Sequence, residues 1–417
     1  MKLKNKKNKK LNQTKVYIND SHDDEIEEED EEENELKAYS EARKARIYKK
    51  KRRKKRIISL LVFVLVIALI YLNWNVIAPT PLSESIQSFF SEFGKNQYPV
   101  DFEEGTMKTA VAVGSNVGIL TDTSFLIYSQ NGDKIASRPH GFNDPAAVSG
   151  GGKALIYDRG GKQFRVETRF GEPMSSAAAY DITSAAMGDK GNFAVITQAD
   201  NYLSELTVYN NSNKPVFKWD STKGRILTAS LSPDGGKLAA VVTGARKGEI
   251  FSDIYIFSLS SEKPLAIKQY DNTMLYSIRF KDSKRIAAVG DQKSVFLYVS
   301  GEQKSEYDYG SNELLNCCNL DGPLILAFKN GADSSTVISL DGEGKVLGKS
   351  VTSGSVKYVS FGGDFVSALS DSKVFISKED LKQQTAVSVP VGVQTVLNIK
   401  KYLFVIGTQS VSRYDLK

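Results

Sequence analysis

A repeat of about 41 residues is the sequence feature that most constrains the fold of this chain. Across residues 98–417, short apolar runs are followed by a polar turn and usually by a lysine. Self-similarity at a fixed period of roughly 20–50 residues is typical of repeat architectures. The repeated anchor positions are Tyr128, Tyr157, Tyr209, Phe257, Tyr298, Ile338, Ile376 and Tyr414.

A second series of segments precedes these anchors. Each segment has a small-residue run, a Gly/Asp turn and an apolar run, as in residues 229–241. Alternating runs broken by Gly, Asn, Asp and Ser indicate antiparallel strands. Four short strands per repeat predict an all-β β-propeller. Eight blades are favoured and seven remain possible, and a pair of β-sandwiches is the weaker alternative because sandwiches lack a sustained period.

The last repeat contains only three predicted strands and stops at Lys417. An unpaired strand edge would remain open if nothing completed that blade. The segment Tyr98–Glu103 lies before the first repeat and can supply the missing strand. The sequence therefore predicts that the two ends of the repeat region close the ring together.

One turn in the repeat region resembles a known propeller motif. Ser232-Pro233-Asp234-Gly235 is similar to the SPDG turn of WD40-like and TolB-like propellers, in which Pro and Gly set the turn geometry. Trp219-Asp220 resembles the WD dipeptide, although no Gly-His partner precedes it. The repeated Gly and Trp motif of quinoprotein-like propellers is absent, so no quinone cofactor is implied.

An apolar segment near the N-terminus predicts one membrane span. Residues 57–77 have the length of a transmembrane helix and follow eight consecutive basic residues, Lys49–Arg56. Tyr71 and Trp74 fall at the far end, where aromatic rings favour the interface. A signal peptide would start closer to the N-terminus, and a buried core helix would not adjoin eight cations.

The positive-inside rule places residues 1–56 in the cytoplasm and residues 78–417 outside the cell membrane. The basic block Lys49–Arg56 would also contact anionic lipid headgroups. The predicted domains are thus a disordered charged tail (1–56), the span (57–77), a linker (78–97) and the propeller (98–417). Ile86, Phe89, Phe90 and Phe93 predict a short amphipathic helix in the linker.

The charge distribution argues against nucleic-acid binding. The whole chain carries a net charge of +6, and the first 56 residues account for all of it. The predicted propeller is therefore neutral, whereas a nucleic-acid-binding domain needs a basic surface.

The complete layout resembles a family of unknown function, the membrane-anchored β-propeller proteins of low-GC Gram-positive (clostridial) bacteria. This resemblance rests on the order of tail, span, linker and propeller and on composition. It implies no catalytic residues.

Residues suited to catalysis or metal binding are scarce. His140 is the only histidine of the predicted outer domain and is interpreted as an exposed loop residue. Cys317 and Cys318 are neighbours on a predicted inner strand, so they are interpreted as reduced and buried. Gly150–Gly152 predict a turn and not a phosphate cradle, because no helix follows. We expect no cofactor and no metal.

Long loops that join the second strand to the third, or one blade to the next, predict a binding face. These loops are placed at 138–145, 169–181, 198–204, 243–253 and 329–335. Arginine and aromatic residues are enriched in recognition surfaces. The candidate binding residues are Arg138, His140, Phe142, Arg169, Phe170, Tyr202, Arg246 and Lys247, with Phe251 beside them.

The sequence favours a binding or scaffold module for an envelope protein or a cell-wall component. The alternative is a glycan-acting enzyme with paired carboxylates in the central channel. The predicted inner strands contain no acidic residue, which favours the binding module.

Overall fold

A computed structural model describes residues 97–416, together with Leu60 and Val62, which are helical. The predicted tail, almost all of the span, and the linker up to residue 96 lie outside these residues. In the part of the chain that is described, no helix has the length and apolar character needed to cross a membrane.

Eight four-stranded antiparallel sheets form an eight-bladed propeller, which confirms the predicted all-β fold and blade number. Blade 1 consists of β2 (Met107–Val113), β3 (Asn116–Thr121), β4 (Ser124–Tyr128) and β5 (Lys134–Pro139). Blade 2 consists of β6 (Pro145–Gly150), β7 (Lys153–Asp158), β8 (Gln163–Glu167) and β9 (Met174–Ala177). Blade 3 consists of β10 (Ile182–Met187), β11 (Phe193–Thr197), β12 (Ser204–Tyr209) and β13 (Pro215–Ser221). Blade 4 consists of β14 (Arg225–Leu231), β15 (Lys237–Arg246), β16 (Glu249–Ser258) and β17 (Pro264–Asp271).

The second half of the ring repeats this arrangement. Blade 5 consists of β18 (Leu275–Phe280), β19 (Arg285–Gly290), β20 (Lys293–Tyr298) and β21 (Gln303–Asp308). Blade 6 consists of β22 (Leu314–Cys318), β23 (Leu324–Lys329), β24 (Ser334–Leu340) and β25 (Val346–Ser353). Blade 7 consists of β26 (Tyr358–Gly362), β27 (Phe365–Leu369), β28 (Lys373–Lys378) and β29 (Gln384–Ser388). Blade 8 consists of β30 (Val393–Ile399), β31 (Tyr402–Gly407), β32 (Ser410–Asp415) and β1 (Val100–Asp101).

Strand β1 closes the ring as the sequence predicted. Val100 pairs with Val411 and Asp101 with Ser410, so an N-terminal strand becomes the fourth strand of the last blade. The Phe102 N–H then donates to the Gln409 carbonyl at 2.9 Å. The Phe102 side chain is buried in the core between blades 8 and 1. The first and last blades are therefore joined by backbone pairing as well as by packing.

The hydrophobic core is divided among the seams between neighbouring blades. Residues 97–416 contain eight buried clusters, and each joins side chains of two adjacent blades. Trp219 packs in the seam of blades 3 and 4, with its ring 4.9 Å from that of Tyr255. Each blade thus buries its two faces against its neighbours, as repeat units that cannot bury their apolar faces alone must do.

The antiparallel strand order defines two ends of the central channel. The top end carries the connections from second to third strands and from one blade to the next. The bottom end carries the turns between first and second strands. First strands of successive blades contact one another and form the channel wall, as β2 does with β6 and β30.

Blade 2 departs from the sequence prediction by one strand. The repeat predicts Tyr157 on a third strand, like the corresponding residues of the other blades, but it lies on the second strand, β7. The outer hairpin of this blade is β8–β9, which is only five and four residues long. Its turn residues, Thr168–Pro173, include no lysine, so the strand–turn–lysine pattern does not extend to this hairpin.

Bottom turns rely on glycines that lie against the next blade. A Cβ at Gly151, where φ is +56°, would lie 2.7 Å from the Gly191 nitrogen of blade 3. A Cβ at Gly363, where φ is +59°, would lie 1.7 Å from the Lys400 oxygen of blade 8. The predicted turn at Gly150–Gly152 is therefore present, and contact between blades explains its glycines.

Candidate functional site

Arg138, the first of the predicted binding residues, lies on β5 and holds blade 1 to blade 2. Its guanidinium Nη1 lies 2.9 Å from Glu167 Oε2 and donates to the Thr168 carbonyl at 3.1 Å. Nη2 donates to the Gly171 carbonyl. Because Glu167 is 0% exposed, this arginine helps to compensate the charge of a buried carboxylate.

His140 and Phe142 form a stacked pair in the loop between blades 1 and 2, with ring centroids 5.1 Å apart. His140 Nδ1 accepts from the Phe142 N–H at 3.0 Å, so Nε2 carries the proton shared with the Thr121 carbonyl at 3.1 Å. Burial lowers the pKa of the imidazole. The interpretation of His140 as an exposed residue is therefore wrong, because the ring is half-buried and bonded at both nitrogens.

Arg169 and Phe170 lie in the connection from β8 to β9. The prediction of one long loop at 169–181 is wrong, because this segment contains strand β9. Arg169 is only 6% exposed and lies with its Cζ 4.8 Å from the centre of the Phe170 ring. Arg138 bonds the carbonyls on both sides of this pair, so five predicted residues meet at the seam of blades 1 and 2.

Tyr202 lies apart from that group, in the top-end loop 198–203 of blade 3. Its side chain is exposed, as is that of Leu203 next to it. Of the predicted residues, Tyr202, Phe170 and Lys247 have exposed side chains.

Arg246 and Lys247 lie at the tip of a hairpin. The predicted loop 243–253 is wrong, because β15 and β16 continue their pairing to Arg246 and Glu249. Arg246 contacts Asp253 at 2.7 Å and Asp271 at 2.8 Å, and its Cζ lies 4.3 Å from the centre of the Phe251 ring. Lys247 occupies the turn with a positive φ of 54°.

The Arg246 contacts stabilise the hairpin internally. Asp253 is 0% exposed, and burial raises the pKa of its carboxyl while the Arg246 charge opposes that shift. The Phe251 ring lies over Gly244, where a Cβ would approach the ring to 2.9 Å. The Arg246 guanidinium therefore makes its ionic and ring contacts within blade 4.

The bottom mouth of the channel contains a charged group that the sequence interpretation missed. Arg279 of blade 5 reaches Asp189 of blade 3 at 3.3 Å and Asp321 of blade 6 at 2.8 Å. Both aspartates lie in turns between first and second strands. A cavity of about 430 Å³ surrounds this group, with Gly150–Gly152 and Gly362 in its wall. The signal was visible in the sequence, because Arg279 is a charged residue within a first strand.

Burial is the largest cause of the pKa shifts of the charged side chains at this mouth. Burial raises the pKa of the Asp189 carboxyl, the Asp321 charge raises it further, and Arg279 opposes both. Nearby, Lys281 donates to the Leu320 carbonyl at 2.7 Å. Burial lowers the pKa of the Lys281 amine to about 8.

Cys317 and Cys318 end the first strand of blade 6 as free thiols, Cys318 buried and Cys317 partly buried. This agrees with their interpretation as reduced residues of an inner strand. Burial raises the pKa of the Cys317 thiol to about 11 and also raises that of Cys318. Both thiols are thus protonated near neutral pH, which makes them poor nucleophiles.

Large apolar side chains that remain exposed are unevenly distributed over the propeller. Two lie in bottom turns or in the β8–β9 connection, namely Leu320 and Phe170. Six lie on fourth strands, at the outer edges of blades: Val216, Leu265, Ile267, Val346, Leu347 and Val351. Seven lie at the top end: Tyr202, Leu203, Ile250, Met274, Tyr276, Tyr358 and Val391.

Comparison with known proteins places the propeller in a family. The family model described as "Family of unknown function (DUF5711)" matches residues 93–416. The chain belongs to this family. The predicted membership of a family of unknown function is thus confirmed, whereas membrane anchoring and clostridial origin stay predictions.

The fold is also similar to that of a solved protein. The crystal structure of BamB from Moraxella catarrhalis has a TM-score of 0.48 and 10% sequence identity, and the match covers 76% of this chain and all of that one. A likeness at this level says nothing about function. No curated protein matches the chain in sequence.

Proposed function

We propose that the propeller is a binding module that recruits a protein of the cell envelope through its top end. The supporting observation is the set of seven exposed apolar side chains there, against two in the bottom turns and the β8–β9 connection, on loops and strand starts of blades 3, 4, 5, 7 and 8. Exposed apolar groups that cluster on one surface are typical of protein contacts. Val391, at 98% exposure, shows how fully some of these side chains face solvent.

The module would be presented outside the cell by the predicted span at residues 57–77. The motivation is the charge asymmetry of the sequence, with Lys49–Arg56 before the apolar segment. A reporter that is active only in the cytoplasm, fused after Lys417, should be inactive. Full activity of that fusion would contradict the topology.

Site-specific crosslinking in the native membrane tests the partner surface. A photoreactive residue at Tyr202, Ile250 or Val391 should give one common adduct, because the three positions share the top end. Lys263 and Lys304, near the turns from third to fourth strands of blades 4 and 5, are the matched controls. Adducts from the control positions alone would assign the contact to the other side of the propeller.

A second candidate function is glycan hydrolysis at the bottom mouth. Asp189 and Asp321 bond the same Arg279 nitrogen, so their oxygens lie within about 6 Å of each other. Glycosidases use carboxylate pairs at roughly 5–9.5 Å, one of them with a raised pKa. Arg279 lies between the two groups, however, in the position that a sugar or water would need.

Asp189→Asn and Asp321→Asn distinguish this enzyme from a binding module. If the pair is catalytic, either change lowers the release of reducing sugar from cell-wall glycans by roughly a hundredfold or more. Asp371→Asn, in an exposed ion pair of blade 7, is the control. Absence of hydrolysis by the unchanged full chain would remove this candidate and leave the binding module intact.

A further inference from the structure

A pocket of about 340 Å³ lies at the seam of blades 1 and 2, away from the exposed apolar side chains of the top end. This seam pocket lies near the lower limit for small-molecule sites, which measure roughly 300–1,000 Å³. It combines aromatic, hydroxyl, amide and guanidinium groups. Its lining residues are His140, Phe142, Gln163, Phe164, Arg165, Ser175, Ser176 and Ala177.

Two walls of different chemistry face each other across the seam pocket. One is the outer hairpin of blade 2, where Arg165 pairs with Ser175 and Gln163 with Ala177. These residues project from one face of the hairpin, because paired residues share a face. The other wall is the stacked His140–Phe142 pair. The Arg165 Nη1 joins the walls by donating to the Pro139 carbonyl at 2.8 Å.

The seam carries more positive than negative charge. Glu167 is fully buried and contacts two guanidinium groups, Arg165 at 2.6 Å and Arg138 at 2.9 Å. One carboxylate cannot neutralise two arginines, so a net positive charge remains. Arg165 presents that charge to the pocket, since it is the only charged residue in the lining.

Two acidic groups near the His140 loop are already engaged. Asp158 Oδ1 accepts from the N–H groups of Asn143 and Asp144 at 3.0 and 2.8 Å. Asp144 in turn pairs with Arg159 at 3.0 Å. Neither carboxylate lines the seam pocket, so an anionic ligand would meet no acidic side chain in its walls.

We propose that the seam pocket binds one or two units of an acidic saccharide. The carboxylate or phosphate contacts the two Arg165 N–H groups that remain beside its bonds to Glu167 and to the Pro139 and Arg138 carbonyls. Ser175 and Gln163 bond sugar hydroxyls, and the apolar face of the ring lies against the aromatic pair. This site goes beyond the proposed protein contact, since it lies at the seam of blades 1 and 2, whereas the exposed apolar side chains of the top end lie on blades 3, 4, 5, 7 and 8.

Matched sugars test the proposal with the full chain in lipid nanodiscs. Glucuronic acid and glucose 6-phosphate each differ from glucose by one acidic group. Saturation-transfer NMR should show that an acidic sugar binds with at least tenfold higher affinity than glucose. Poly(glycerol phosphate) and soluble peptidoglycan fragments, added as competitors, distinguish a polymer source from a free sugar.

Three variants locate the binding. Ser175→Phe fills the pocket and should weaken acidic-sugar binding at least tenfold, whereas Ser212→Phe, at an exposed turn of blade 3, should not. Gln163→Glu should weaken it at least tenfold by repulsion, and Gln163→Lys should strengthen it. Gln163 and Ser175 are exposed, so melting temperatures should stay unchanged.

Equal binding of glucose and the acidic sugars would overturn the proposal, as would equal losses for Ser175→Phe and Ser212→Phe. Failure of every sugar and polymer to bind would overturn it as well. None of these outcomes bears on the top-end protein contact, because crosslinking from Tyr202, Ile250 and Val391 tests that contact independently.

Discussion

The two ends of the channel are built from the same strands but differ in how tightly they are packed. At the bottom end, glycines let neighbouring turns approach at backbone distance, and Arg279 connects blades 3, 5 and 6. At the top end, seven large apolar side chains are exposed, against two in the bottom turns and the β8–β9 connection. The bottom end thus holds neighbouring blades in close contact, whereas the top end leaves apolar surface exposed.

The largest expected effect comes from adding one methyl group at the bottom end. In Gly363→Ala the Cβ would lie 1.7 Å from the Lys400 oxygen, so the backbone of blade 7 or blade 8 must move. We expect a loss of about 4 kcal/mol of unfolding free energy. Denaturant unfolding of the purified chain measures it.

Gly392→Ala is the top-end control for that change. Gly392 also has a positive φ, +91°, but no atom of the described residues lies within 4 Å of the position of an added Cβ. Only backbone strain remains, which costs about 1–2 kcal/mol. Equal losses for the two variants would contradict the difference in packing between the two ends.

The β15–β16 hairpin lies at the top end but is stabilised by ionic contacts within its own blade. Arg246→Met tests these contacts. Removing the guanidinium leaves the fully buried Asp253 without its ionic partner. We expect a loss of about 2–3 kcal/mol, below the usual cost of breaking a fully buried pair because Arg246 is about one-third exposed. Lys247→Met, one residue further at the exposed tip, should change stability by less than about 0.5 kcal/mol.

Arg279→Met should destabilise the bottom mouth in a pH-dependent way. The folded-state pKa of Asp189 is already raised by burial, and removing Arg279 raises it further because an opposing charge is lost. A carboxyl with a raised folded pKa binds its proton more tightly when folded, so stability falls as pH rises through that pKa. We expect a loss of about 1–2 kcal/mol at pH 7 and a smaller loss near pH 4, measured by denaturant unfolding. An equal loss at both pH values would show that Asp189 does not depend on Arg279.

The smallest expected effect is a change in how stability depends on pH, caused by Lys281→Met. The folded pKa of Lys281, about 8, lies below the ordinary value of 10.5, so the folded state prefers the neutral amine. Stability should therefore rise between pH 8 and the onset of tyrosine ionisation near pH 10 and be lost as pH falls through 8. Lys281→Met should flatten this rise, as followed by thermal unfolding. Lys284→Met, at a neighbouring exposed residue, should leave the slope unchanged.

The sequence by itself predicted the propeller and its closing strand, and it favoured eight blades with seven still possible; the structure shows eight. This is possible because strand period, turn residues and repeat length are local properties of the chain that recur in every repeat. The repeat around Tyr157 departs from this pattern, so the sequence predicts Tyr157 on the third strand of its blade, whereas it lies on the second. The sequence pattern does not predict the outer hairpin of blade 2, because its strands are short and its turn lacks the lysine found in the outer turns of the other blades.

Side-chain partners were decided only by the tertiary structure. Arg138 and Arg246 were predicted to bind because arginine in a loop suggests recognition, yet both pair with carboxylates that folding buries. Glu167 lies 29 residues from Arg138, and Asp189 lies 90 residues from Arg279. No local pattern relates residues so far apart, because only closure of the ring and packing of the blades bring them together. The seam pocket arises in the same way, from two blades that meet.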